Sequence, residues 1–453
     1  MGTDNSKQDL ATTLTTDQIS RFERDFNAED RNLVALNAIA SSKIADVVLS
    51  RKAGQQLNHS FSNKIEVEGK ATNQKASGRC WVFAGLNIMR LRLMQKYKLD
   101  DFELSQPYLF FYDKIEKSNW FLESMIELAD KELDDRTVQY LLKDPIQDGG
   151  QWDMFISLVE KYGVVPKAVY PETYQTSNTV QLRWLLTCKL REYAQELRAL
   201  HKEGKSIEEI RSAKDKMLSE VYRIMAIACG EPPKEFDWSF RTKDNKFQEF
   251  KGLTPLQFYK EHVEYKTTET VSIINDPRNE YHKLYTVSYL GNVKGGVPVH
   301  YINLPIEQLK ELTAKALKKE KPVWFGCDVG KHFARQIGVL DIGSLDFELA
   351  FGLKFHLDKA DRLRYRESLM THAMMFTGVH IDSEDKTVRW RVENSWGEDT
   401  GDKGFLSMSD RWFSEFTYQI VLEKEDIPED ILEVLKQEPV ALPPWDPMGS
   451  LAA

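Results

Sequence analysis

Cysteine is scarce and scattered in this chain. The four cysteines, Cys80, Cys188, Cys229 and Cys327, are spread over 453 residues, and no two form a C-x-x-C pair. That spacing excludes a disulfide framework and a cysteine-based zinc site, and it suits a reducing compartment. Long apolar runs are also missing. No stretch approaches eighteen consecutive apolar residues, so no membrane-spanning helix is expected. Positive charge is in deficit, with 61 Lys and Arg against 70 Asp and Glu and a formal net charge of -9. This weighs against a broad nucleic-acid surface and leaves only a local patch open. The first residues lack an apolar core of signal-peptide length, so a cytoplasmic protein is expected. Met1-Gly2-Thr3-Asp4-Asn5-Ser6 satisfies the N-myristoylation pattern at Gly2. A single acyl chain holds a membrane only marginally, so no stable membrane association is expected. The rest of the composition, 42% apolar and 29% charged, describes a globular chain of two or three domains, or one domain with large insertions.

The stretch Asn73-Gln74-Lys75-Ala76-Ser77-Gly78-Arg79-Cys80-Trp81 places a lone cysteine where a loop becomes a helix. Val82, Phe83, Leu86, Met89, Leu93 and Tyr97 recur at three- and four-residue steps, as one buried helix face requires. Cys80 then sits in the first turn, where unpaired N–H groups and the positive end of the macrodipole favour a thiolate. Gln74, six residues earlier, offers an amide that can donate to an oxyanion near the sulfur. Taken alone, the position fits a small buried hydrophobe equally well.

The chain around this stretch divides by pattern. Residues 1–66 are polar, with helical patterns over Thr16–Phe26 and Asp30–Val48. The aromatic-rich run Phe102–Tyr112 reads as buried, with helices expected over Trp120–Leu133 and Thr137–Leu142. Asp148-Gly149-Gly150-Gln151-Trp152 is a paired-glycine turn leading into a helix over Met154–Tyr162. Adjacent glycines permit close approach of another chain, although a plain turn explains them as well. From Thr179 to Cys229 two apolar stripes predict a long helical pair, followed by a hairpin around Asp244-Asn245. This segment holds no group suited to catalysis. Beyond Val271 the period shortens, and strands are expected over Tyr285–Leu290, Val297–Ile302 and Pro322–Cys327, interrupted by a helix over Ile306–Lys319. A helical part and a β-rich part predict an α+β fold of two lobes with a cleft between them.

His372 opens an apolar strand, where one imidazole needs a partner. Asn394 follows the alternating strand Val388–Val392 and opens Asn394-Ser395-Trp396-Gly397. Antiparallel pairing of these strands brings an amide carbonyl beside the imidazole. There it can accept from one ring N–H and aim the other nitrogen at a cysteine sulfur. His372 alone also fits a satisfied core residue. The ordered set of Gln, helix-start Cys, strand His and Asn before Trp shifts the reading to chemistry.

Gln74, Cys80-Trp81, His372 and Asn394-Ser395-Trp396-Gly397, with the Gln-to-Cys spacing, resemble the papain-like cysteine proteases. Asn73-Gln74-Lys75 with Ser77–Trp81, Tyr108–Lys114, Glu367–Met374, Arg391–Gly397 and Trp445–Gly449 resemble more specifically the bleomycin hydrolase family of papain-like aminopeptidases, over most of the chain from about residue 66. Ser77 stands where secreted papains carry a second cysteine, so their disulfide is absent. The interval from Cys80 to His372 is far longer than in those enzymes.

The resemblance implies a papain-like two-lobed fold with a large helical insertion. Its segments are an N-terminal arm (1–66), a helical lobe with the nucleophile (67–174), a mainly helical insertion (175–265), a β-rich lobe with His and Asn (266–440) and a tail in the active-site cleft (441–453). It further implies Cys80 as nucleophile, His372 as base and acid, Asn394 as its orienting partner, Gln74 as oxyanion donor and Trp396 as a shield. Gly149 and Gly150 would pair with the substrate backbone, and the Ala453 carboxylate would receive the substrate ammonium, with Ala453 a candidate for self-removal. Peptides, and the amide of bleomycin-like compounds, are the substrates implied, in a homohexamer with no cofactor and no metal. Nucleic-acid binding, found in some family members, is disfavoured by the acidic balance. A cysteine endopeptidase and a non-enzymatic scaffold or nucleic-acid-binding assembly are the alternatives.

Overall fold

The ten residues His372–Ile381 form a strand whose side chains alternate between two apolar cores. Ala373 and Met375 enter one, and Met374 and Phe376 enter the other, the period-2 geometry of a strand buried on both faces. A register shift between Phe376 and Gly378 then turns Val379 into the second core as well. The computed structural model describes residues 12–450, so Gly2 and Ala453 lie outside the described residues. Within the larger of two compact units, Leu57–Ile342 with Leu357 onward, a twelve-stranded sheet carries this strand near its middle.

Neighbouring strands fix its register. On one side Val323–Cys327 pairs antiparallel, with His372 opposite Cys327. On the other, Thr387–Glu393 pairs antiparallel, with Met375 opposite Glu393. The expected adjacency of the His and Asn strands is therefore met. Thr417–Glu423 continues the sheet beyond Val323–Cys327, and Val440–Leu442 closes one edge against Lys283–Val287. The expected strand over Val297–Ile302 is confined to Tyr301–Asn303, because Pro298 has no N–H to give a ladder.

Helices Cys80–Tyr97, Gln106–Glu127 and Trp152–Tyr162 share the first core with one face of the sheet. The second of these begins fourteen residues earlier than the pattern predicts. Ser105 Oγ caps it by accepting the Tyr108 N–H at 3.2 Å, and Pro107 stands in its first turn. Tyr108–Phe111 are all buried, and a helix apolar all round shows no amphipathic period. The helical pair appears as Val180–Lys202 and Ile207–Cys229, and the hairpin as Phe236–Arg241 with Phe247–Leu253.

The smaller unit joins the described residues up to Gln56 with Gly343–His356. It contains helices Thr16–Asn27 and Asp30–Ala40, and Leu49 bridges Leu345 antiparallel.

One ion pair ties the Cys80 helix to the strand before Asn394. Arg90 Nη2 meets Glu393 Oε1 at 2.7 Å, both side chains at most 2% exposed, and Asn87 Nδ2 donates to the same oxygen at 2.8 Å. Burial pushes the Glu393 carboxyl up to about 7, against the opposing pull of Arg90. A carboxyl raised above its unfolded value holds its proton more tightly when folded, so its contribution falls as pH rises from about 4 through the raised value. Arg90→Ala is expected to cost about 3–5 kcal/mol in denaturant unfolding, since it strands a buried carboxylate. The loss should be smaller at about pH 5, where that carboxyl is protonated, than at about pH 8.

Candidate active site

Two loops are fastened together to build the site. The Gln74 backbone N–H donates to Ser395 O at 2.8 Å, Gly397 N–H donates to Thr72 O at 2.9 Å, and Asn73 bridges Trp396 antiparallel. Gly397 adopts φ +79°, and a Cβ there would meet Asn73 Nδ2 at 2.6 Å, so this turn requires glycine. Ser395 Oγ then donates to Gln74 Oε1 at 2.7 Å, which orients the amide. Gln74 Nε2 gives one N–H to Ser77 O at 2.6 Å and has a second to offer.

The same loop fixes the histidine. Asn394 Oδ1 accepts the Ser395 backbone N–H at 2.8 Å and lies 2.8 Å from His372 Nε2. Because a backbone N–H can only donate, that atom of Asn394 is the carbonyl oxygen, and Nε2 must carry the proton. Nδ1 is left as the acceptor. The Trp396 indole packs on the imidazole at 4.8 Å between ring centroids, and the Arg335 guanidinium lies over the indole's ring at 4.8 Å.

Cys80 begins its helix as expected. Its Sγ accepts the backbone N–H of Ala373 at 3.3 Å, so the sulfur lies beside the first residues of the histidine strand. Burial opposes charge on both groups. It pushes the Cys80 thiol up to about 12, with the Ala373 N–H pulling the other way. It pushes the His372 imidazole down to about 4 against the bond to Asn394. The helix terminus alone therefore does not set the thiolate. A thiolate and an imidazolium formed together carry no net charge, so the pair costs less to bury than either charge alone.

Sequence reading assigned no role to the charges behind the paired glycines. Asp148 Oδ1 meets Lys114 Nζ at 2.7 Å, both side chains at most 2% exposed. Its Oδ2 accepts the Gly78 N–H at 3.2 Å and the Thr179 hydroxyl at 2.5 Å. Lys117 Nζ donates to Gly149 O at 2.6 Å and pairs with Asp113 at 2.8 Å. One buried network thus holds both the cysteine loop and the Gly149-Gly150 segment. Trp81 Nε1 donates to Asp148 O at 2.8 Å, and a Cβ on Gly150 would meet the Trp81 ring at 2.6 Å. The signal available in sequence was Asp113 and Lys114 set among aromatics, as a buried pair requires.

The tail reaches this place. Gln151 Nε2 donates to Ser450 O at 2.8 Å, and Ser450 Oγ donates to Met370 O at 2.9 Å, one residue past the glycine pair and two before His372. A cavity of about 240 Å³ lies alongside, walled by Trp120, Tyr140, Tyr289 and the tail residues Pro444 and Gly449.

The likeness to known proteins covers far more than these residues. The Peptidase C1-like family model matches residues 13–449. The chain belongs to that family. Bleomycin hydrolase of Mus musculus is 46% identical over 449 residues, covering 97% of this chain and 99% of the relative. Aminopeptidase C of Streptococcus thermophilus is 44% identical over 444 residues, covering 98% and 100%. The crystal structure of PepW from Lactobacillus rhamnosis HN001 is 44% identical, with a TM-score of 0.95 over 98% of this chain and 100% of that one. The papain-like α+β fold and the resemblance to bleomycin hydrolases both stand. Among the described residues no helix is long and apolar enough to cross a membrane.

The Asp148 carboxyl is held well below its ordinary range. Burial alone would raise it, and Lys114, Thr179 and the Gly78 N–H together outweigh that. A depressed carboxyl contributes stability that is full above its unfolded value near 4 and is lost as pH falls below it. Asp148→Asn should therefore destabilise the protein clearly at about pH 7 and progressively less toward about pH 3, read as the gap in thermal midpoint from the unsubstituted chain.

Proposed function

We propose that this papain-like cysteine aminopeptidase removes N-terminal residues from peptides through a thioester on Cys80. The observation carrying the proposal is the Asn394 carbonyl, which accepts the Nε2 proton of His372 and leaves Nδ1 free to act as the base, while the Cys80 sulfur lies against Ala373, the next residue of the same strand. His372 takes the Cys80 proton as the sulfur attacks the peptide carbonyl carbon. The second N–H of Gln74 and the Cys80 backbone N–H stabilise the oxyanion. The C–N bond breaks as the imidazolium protonates the departing amine. Water then attacks the thioester, with His372 accepting its proton, and the freed acid leaves Cys80 as it began. Trp396 shields the His372–Asn394 bond from competing water, and Gly149 with Gly150 receives the substrate backbone by strand addition.

The tail supplies selectivity in this reading. With Ser450 held by Gln151 and Met370, the Ala453 carboxylate is the group that receives the substrate ammonium and limits cutting to the first residue. Self-removal of Ala453 belongs to the same proposal. So do the homohexamer and a cytoplasmic location, and hydrolysis of the amide of bleomycin-like compounds, the last of which accords with the name bleomycin hydrolase carried by relatives. The five segments with boundaries at 66, 174, 265 and 440 stand as the proposed domain organisation. An endopeptidase reading is less favoured, because Ser450 lies beside Gln151, where an extended substrate would run.

A fluorogenic amino-acid amide, compared with its N-acetylated form, tests the proposal. Cys80→Ala and thiol alkylation should each lower turnover by more than about a thousandfold, and the free amine should be strongly preferred. Equal cleavage of both forms would mean an endopeptidase, and residual turnover above that level would remove Cys80 as nucleophile.

A further inference from the structure

We infer that Arg278 and Asp446 form a clamp that sets the reach of the tail, and with it the preference for free amines. This rests on the tail reading above. Asp276 grips the Arg278 guanidinium from one side, Nε to Oδ1 at 2.9 Å and Nη2 to Oδ2 at 2.8 Å. On the other side Nη2 donates to Asp446 Oδ1 at 2.8 Å. Asp276 is anchored in turn. It is fully buried, its N–H donates to Asn303 Oδ1 at 2.8 Å, and its Oδ2 accepts from Asn279 Nδ2 at 2.8 Å. Since Asn303 ends a strand of the main sheet, the clamp fastens the base of the tail to that sheet.

Asp446 passes this constraint along the chain. Its Oδ1 also accepts the Met448 N–H at 2.9 Å and closes the turn Pro447–Gly449. Tyr301 OH donates to Met448 O at 3.3 Å, and a Cβ on Gly449 would meet Val287 Cγ1 at 2.8 Å. Just before the clamp, the Arg136 guanidinium stacks on Trp445 at 3.8 Å. At Ser450 the hold is by neutral hydrogen bonds alone. The ion pair is the only charged attachment described for residues 443–450 apart from that stacking, and it lies four residues before Ser450. Arg278 and Asp446 act as positioning residues, since neither reaches the reacting atoms.

Asp446→Asn is a clean test. It removes the charge opposite Arg278, leaves the Asp276–Arg278 pair intact, and keeps an oxygen to cap Met448, so no buried charge is stranded. In the full chain it should raise KM for the free amino-acid amide about tenfold, the size expected of a partly buried ion pair near 1.4 kcal/mol. It should leave kcat within about twofold, and relative cleavage of the N-acetylated amide should rise. Asp446→Glu should restore part of the preference. A fall of both substrates by the same factor would reduce the pair to a structural role and overturn the clamp. An unchanged preference in Asp446→Asn, with the preference lost in a chain ending at Ser450, would overturn the clamp and leave the tail reading standing. If the shortened chain also kept its preference, both would fall.

Discussion

The carbonyl oxygen of Asn394 is the point on which the site's geometry turns. It takes two donors at 2.8 Å, one from the backbone of Ser395 and one from His372. The first donor cannot reverse its role, and so the second is fixed as well. Orientation of the imidazole is thereby a property of the backbone of a loop, not of a freely rotating side chain. That loop is itself held by Gln74, Asn73 and Thr72, and these belong to the segment that delivers Cys80. Each half of the site positions the other.

Buried charge does the rest of the positioning. Arg90–Glu393 joins the Cys80 helix to the strand before Asn394, and Lys114–Asp148 with Lys117–Asp113 joins the cysteine loop to the paired glycines. Such pairs are weak contributors to net stability, since desolvation offsets their attraction, but breaking one is costly. Their value here is geometric. An apolar pair would fill the same space without dictating which carbonyl or N–H stands where, and Gly149 O and Gly78 N–H are both fixed in this way.

Much of this was legible in the sequence where pattern and chemistry coincide. Cys80 at a helix start and His372 at a strand start followed from periodicity, and the antiparallel Asn strand followed from alternation. The helix over Gln106–Glu127 was legible only from Trp120 onward, because its earlier part is largely buried and shows no apolar stripe. The short strand Tyr301–Asn303 was overextended, because a β-rich composition hides the one proline that breaks a ladder. The ion network was hidden for a different reason. Lys114 and Asp148 are thirty-four positions apart, and no local rule pairs residues that only the tertiary fold brings together. For the charge state of Cys80, a helix terminus read from sequence carries no information on burial, which here acts in the opposite direction.

The alternation along His372–Ile381 has a consequence for how the protein loses its structure. A strand whose side chains feed both cores is a shared wall: neither core can melt while leaving the other intact behind it. His372 stands at one end of that wall, opposite Cys327 on the neighbouring strand. Loss of that wall would therefore take the site with it, as a cooperative transition of the unit requires.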